Sequence, residues 1–128
     1  MKILVEIAPG ELIDKLTILE IKLEQITDEA KLANIAREHE ILKNAYEAAI
    51  VEDEALLDLR SKLKAINHRL WNIEDEIRAE ERAGVFGSSF ISLARSVYRT
   101  NDQRAEIKRQ INSLLHSAIP EEKSYASY

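Results

Sequence analysis

Along residues 11–26 the apolar positions Leu12, Leu16, Leu19, Leu23 and Ile26 recur at 4-3-4-3 spacing, which gathers them on one side of a helix. Ile13, Ile18 and Ile21 fall well off that seam. Helix 1 is therefore expected to be buried on more than one side, at the centre of a bundle or in an interface between copies. Thr27-Asp28 offers a cap for helix 2. Its face of Leu32, Ile35, Ala36, His39, Leu42, Tyr46 and Ile50 runs to about residue 50. His39 on that stripe is expected to be buried or at an interface, with a hydrogen-bond partner. Asp53 caps helix 3, where Leu56, Leu59, Leu63, Ile66, Leu70, Ile73 and Ile77 keep a strict 3-4 repeat. A helix over residues 53–83 spans roughly 45 Å, and Gly84 supplies the stop. Residues 84–89 read as a loop holding two buried-type residues, Val85 and Phe86. Ser88 is the expected cap of helix 4, which reaches about residue 117 before Pro120 ends it. Thr100-Asn101-Asp102 prefers caps and turns and can divide that helix in two.

Residues 2–7 are apolar and β-branched, too short for a helix, and end at Pro9-Gly10. They read as one strand or extended arm, pairing with its own copy in a dimer or lying across the helices. The expected fold is all-α: a four-helix antiparallel bundle with long coiled-coil-like helices and a short N-terminal extended arm. One helical domain covers residues 1–128, with the arm at 1–10 and a polar C-terminal tail at 118–128. Two long seams and a helix apolar on several sides exceed what one small bundle buries, so a homodimer is expected.

Composition narrows the partners. The 128 residues carry a net charge of −5, which argues against general nucleic-acid binding. The charge is uneven: residues 1–83 hold 12 Lys/Arg and 19 Asp/Glu, residues 84–128 hold 6 and 4. Residues 95–109 alone hold five basic and two acidic side chains, so a small anionic ligand or an acidic protein partner fits there. There is no cysteine, and no signal-peptide pattern or membrane span. A cytoplasmic location is the default expectation.

The candidate chemistry sits on helix 4. If that helix is continuous, Asn101, Arg104 and Lys108 share the face of Phe90, Ala94, Val97, Ile111 and Leu115. Charges facing other helices need partners, because an unpaired buried charge costs several kcal/mol. On helix 3, Asn67, Trp71, Asp75 and Arg78 form a polar stripe beside the seam. Its bland reading is a packed Trp71 beside an Asp75–Arg78 surface pair. Its sharper reading sets the stripe opposite Asn101, Arg104 and Lys108 around a polar pocket. Pairing of Arg104 and Lys108 with Asp75, Glu74 or Glu76 would make them structural. Convergence on a cleft would make them a site.

Other chemistry has less support. His39, His68 and His116 are scattered, and Glu11 with Asp14 is the only ExxD-type carboxylate pair, so neither a metal nor a cofactor is expected. Glu20/Glu24 and Glu76/Glu80 read as solvated faces. Nucleophilic motifs are absent. The stretch ELIDKLTILEIKLEQI resembles the first helix of all-helical chorismate mutases, which bind a dicarboxylate with arginines. This helix has Lys15 and Lys22 where an Arg is needed, and the carry-over stops there.

A broader resemblance covers roughly residues 10–125. GELIDKLTILEIKLEQI, LWNIEDEIR, FISLARSVYRTNDQRAEIKRQIN and EEKSY, in that order, are similar to a family of small bacterial helical proteins classed as a domain of unknown function. The resemblance implies no activity, and only an association with cell-envelope sugar metabolism. Its longest motif draws Arg95, Tyr98 and Arg99 into the candidate set with Asn101, Arg104 and Lys108. The first expectation for function is a non-enzymatic helical interaction or scaffold protein. The alternative is a small enzyme or ligand-binding protein that holds a phosphate- or carboxylate-bearing molecule on helix 4.

Overall fold

A computed structural model describes residues 1–117, 121–122 and 124–128, and four helices account for most of them. They are α1 (Pro9–Gln25), α2 (Glu29–Ala49), α3 (Glu54–Ala83) and α4 (Ser88–Leu114). Local chemistry explains the boundaries. Pro9 opens α1, where its missing N–H costs nothing. Asp28 accepts from the Lys31 N–H at 2.9 Å, and Asp53 from the Leu56 N–H at 2.8 Å. Gly84 ends α3 at φ 69°, a left-handed cap that suits glycine. The cap of α4 is Gly87 rather than Ser88, which is the first helical residue. Helix α4 runs unbroken through Thr100, Asn101 and Asp102; Thr100 is buried, and packing overrides its preference for turns. It stops at Leu114, short of residue 117, and the expected stop at Pro120 lies outside the described residues.

Helix α1 is the hub, packing against all three other helices, while the backbone of α2 approaches only α1 and its Tyr46 reaches Arg60 of α3. That asymmetry explains the burial. Ile13 and Ile21, off the leucine seam of α1, are buried within the chain, and Ile18 is half-buried. On α2 only Tyr46 is buried; Leu32, Ile35 and His39 stay half-open because no further helix closes over them. The expectation that His39 is buried within the chain with a hydrogen-bond partner is thereby corrected; its interface alternative concerns a second chain. His39 lines a small surface hollow with Glu20 and Arg60, and has no hydrogen bond among the described residues. Leu12, Ile13, Leu16, Tyr46, Leu56, Leu63 and Ile111 form the core. Contacts along α1 descend α4: Gly10 meets Asn112, Glu11 meets Lys108, and Asp14 meets Arg104.

Two apolar segments fail to find cover. Residues 1–8 form no strand, and Ile3, Leu4 and Val5 are 74%, 84% and 72% exposed. Within the single chain the arm does not lie across the helices; pairing with a second copy is a matter between chains. Val85 and Phe86 are also exposed, the Phe86 ring lying edge-to-face with Phe90 at a centroid distance of 5.3 Å. No helix among the described residues is long and apolar enough to cross a membrane.

Candidate functional site

Gly10, Ile13, Asp14, Thr17 and Ile21 lie on a second buried side of α1, away from the leucine seam. A carboxylate there is 1% exposed and needs strong partners. Arg104 provides them: its Nε donates to Asp14 Oδ1 at 2.9 Å and its Nη2 donates to Oδ2, a two-pronged pair. Asn67 Nδ2 donates to the same Oδ1 and to Thr17 Oγ1, both at 2.9 Å. The Thr17 hydroxyl donates to the Asp14 backbone carbonyl at 2.8 Å, not to its carboxylate. Both Asp14 carboxylate oxygens are therefore occupied as acceptors, and neither is poised on the Thr17 hydroxyl. The hydrogen bond from Arg104 to Asp14 outweighs burial and holds the guanidinium pKa above its ordinary value.

A second knot lies one turn toward the start of α1. Lys108 Nζ donates to Glu11 Oε2 at 2.8 Å and lies 3.3 Å from Glu121. Burial works against its charge, yet Glu11 and the carboxylates around it raise the Lys108 pKa above the usual lysine range. Asn112 Oδ1 accepts from the Gly10 N–H at 2.8 Å. That amide is one of the free N–H groups at a helix start, and α1 has no side-chain cap of its own. Helix α4 thus caps α1 from outside. The close approach depends on glycine: a Cβ at residue 10 would stand 2.6 Å from the Lys108 carbonyl oxygen.

The candidate residues divide into three groups. Asn67, Trp71, Asp75, Asn101 and Arg104 do come together, lining a cleft of about 500 Å³ between α3 and α4. Lys108 is not in that group; it lies in the Glu11 knot. Tyr98 and Arg99 turn to the C-terminal tail. The Tyr98 and Tyr128 rings are 5.0 Å apart, Arg99 lies 5.9 Å over the Tyr128 ring, and the Tyr128 hydroxyl donates to Asp102 at 2.7 Å. Arg95 is exposed and belongs to neither.

Sequence reasoning also misplaced the partners. The acids that answer Arg104 and Lys108 are Asp14 and Glu11 of α1, not Glu74, Asp75 or Glu76. Arg78 pairs with Glu74 rather than Asp75. The signal for Asp14 was its phase with Ile13 and Ile21. Both carboxylates of the Glu11/Asp14 pair are held by cations, and among the described residues no cluster of His, Asp, Glu or Cys is arranged to hold a metal ion. Around the cleft, Glu74 answers Arg78 and Asp14 answers Arg104, which leaves Asp75 without an ion pair among the described residues. The arrangement can position and bind, with little net attraction for an anion.

Farther along α1, Glu20 accepts from Arg60 at 2.7 Å and Glu24 from Lys64 at 2.8 Å, so that face is paired and not merely solvated. Arg60 also lies 4.9 Å over the ring of Tyr46, whose hydroxyl donates to Glu52 at 2.9 Å. Burial first, together with Glu52, raises the Tyr46 pKa.

Nothing among curated proteins or solved structures matches the chain. A family model described as a family of unknown function, DUF6165, matches residues 1–128, and the chain belongs to that family.

Proposed function

We propose that the protein is a homodimeric helical interaction module. One observation carries the reading: the two inward-facing cations of helix α4 are answered within the chain, while apolar surface is left open. Arg104 and Lys108 are neutralised by Asp14, Glu11 and Glu121. Ile3, Leu4, Val5, Val85 and Phe86 remain exposed. Surface of that kind is what a protein partner covers. Sedimentation at micromolar concentration tests the reading. The expected species has twice the 14.6 kDa chain mass, and a monomer at every concentration overturns it.

The cleft favours a second reading, a small-molecule site. Trp71 offers an aromatic wall, Asn101 an amide, and the Arg104 side chain is still 30% exposed. A thermal-shift screen of nucleotides, sugar nucleotides and dicarboxylates tests it, since a ligand that binds only the folded state raises Tm. Under this reading, Asn101→Ala removes the shift and leaves the unliganded Tm unchanged. No shift with any of these classes removes the support for it.

A further inference from the structure

We infer that the N-terminal arm of one copy lies in the α3–α4 groove of a second copy, and that the exchange is reciprocal. The inference rests on the homodimer reading and names its contact.

The groove is formed on the side of α3 and α4 that faces away from α1. On α4, Arg104, Lys108 and Ile111 face α1, whereas Gln103, Glu106 and Gln110 lie roughly 105–165° round the helix from their mean direction. These last three line two hollows of about 600 and 430 Å³ that adjoin at Glu106. Leu59, Leu114, Ile66 and Ile107 give the groove an apolar floor. These residues close the seam between α3 and α4: Ile66 is buried, and Leu59, Ile107 and Leu114 are half-buried against the core.

The arm has the complementary character. Among the described residues no backbone hydrogen bond ties residues 1–7 to the helices; Ile3, Leu4 and Val5 are largely exposed, and Ile7 is partly covered, at 40% exposed. In an extended chain Ile3, Val5 and Ile7 fall on one face, with Lys2, Leu4 and Glu6 on the other. The lengths agree. Residues 1–7 extend over about 20 Å, and the groove from Ala55 to Arg69 runs about 21 Å along α3. The charges agree as well. Asp58, Glu106 and Arg109 stand at the rim of one hollow and Lys62, Arg69 and Glu106 at the other, with Asp58 3.0 Å from Lys62 and Glu106 paired with Arg109. Arg69 bonds only the neutral Gln103, at 3.1 Å, and has no carboxylate among the described residues. Lys2 toward Asp58 and Glu6 toward Arg69 sets the direction of the arm.

The arm cannot occupy its own groove. Gly10 is pinned against Lys108 and Asn112 on the α1 side of α4. A path to the opposite side must round a helix about 10 Å across, which leaves too little chain to lie along the groove. Exchange between two copies needs no such detour and closes by two-fold symmetry.

The chain has no cysteine, so introduced thiols report without background. The experiment mixes Val5→Cys with a mass-tagged Ala65→Cys under mild oxidation; both positions are exposed and each variant is expected to fold. The expected product is the mixed disulfide between chains. Ala65→Arg, which fills the groove, should weaken the dimer at least tenfold by sedimentation while leaving the helical circular-dichroism signal intact. A wild-type dimer with no mixed disulfide, or with only same-variant disulfides, overturns the arm contact and leaves the dimer standing. An intramolecular disulfide in the Val5→Cys/Ala65→Cys double variant at high dilution overturns it in favour of a cis arm. A wild-type monomer overturns both readings.

Discussion

Near its N-terminal end α1 sets Asp14 against Arg104, and farther along it sets Glu20 against Arg60 and Glu24 against Lys64. The chemistry is alike and the surroundings are not. Asp14 is 1% exposed and accepts from three partner atoms, whereas the Glu24 side chain is 49% exposed. What separates them is the fate of the survivor when one partner goes. Glu24 turns to water. Asp14 has no water to turn to, and the energy of its pair lies mostly in preventing a stranded charge. Glu20 and Arg60, 24% and 22% exposed, lie between these limits, so α1 is locked at Asp14 and only lightly tied at Glu24.

The largest effect should come from breaking the lock. Arg104→Ala strands Asp14 and is expected to destabilise by about 3–5 kcal/mol in urea unfolding. Asp14→Ala should cost less, because Arg104 retains an edge on the cleft. The double variant should recover part of the Arg104→Ala loss, since no buried carboxylate remains. An Arg104→Ala cost below about 1 kcal/mol, the range of surface pairs, would erase the contrast between the two ends.

Next in size is Gly10→Ala. The added methyl would meet the Lys108 carbonyl oxygen at 2.6 Å and Asn112 Oδ1 at 2.8 Å. Backbone on one side and a hydrogen-bonded amide on the other cannot both yield. Overpacking of this kind typically costs about 1–3 kcal/mol, and it should also loosen the Gly10–Asn112 bond. Hydrogen exchange in the first turn of α1, followed on the Glu11 and Leu12 amides, should rise in this variant and stay unchanged in a Gly87→Ala control, where nothing stands within 4 Å of the new Cβ.

The helices were legible in the sequence because period and caps agree: the repeat of α3, Asp28, Asp53 and Gly84 each state their element locally. The phase argument for Asn101 and Arg104 held because α4 is continuous, and it brought them opposite Asn67 and Trp71. The identity of the acids was not legible. Glu11 and Asp14 look like ordinary first-turn carboxylates until the tilt of α1 across α4 is known, and tilt is a tertiary property. The half-open stripe of α2 was missed for a related reason. Periodicity tells which face is apolar, not whether another helix arrives to cover it.

A smaller effect tests the second knot by pH. The Lys108 pKa in the folded chain is raised, with burial opposing and Glu11 and its neighbours prevailing. Its stabilisation is therefore fully present below the unfolded lysine value of about 10.4 and is lost as pH rises through the folded value. The Tm gap between wild type and Lys108→Met should be constant from neutral pH to about 9 and close above about 10.4. A gap that persists through that range would show that Lys108 acts through packing of its stem and not through its charge.

The smallest effect belongs at the other end of α1. Lys64 reaches Glu24 at 2.8 Å and Glu20 at 3.3 Å, and its hydrogen bond to Glu24 leads the causes that raise its pKa. Short distances suggest strength, but exposure decides. Without Lys64, Glu20 keeps Arg60 at 2.7 Å and Glu24 is already in water. Lys64→Ala should leave Tm within experimental error of wild type, the more so because alanine favours a helix. Salt supplies the finer measurement. Exposed pairs fade as the Debye length falls from about 10 Å at 0.1 M to about 3 Å at 1 M. Any small Tm difference at low salt should vanish at 1 M for Lys64→Ala, while the Arg104→Ala deficit survives there. A Lys64→Ala deficit that also survives would mean that this end of α1 is drier than its exposure implies, and the two ends would no longer differ in kind.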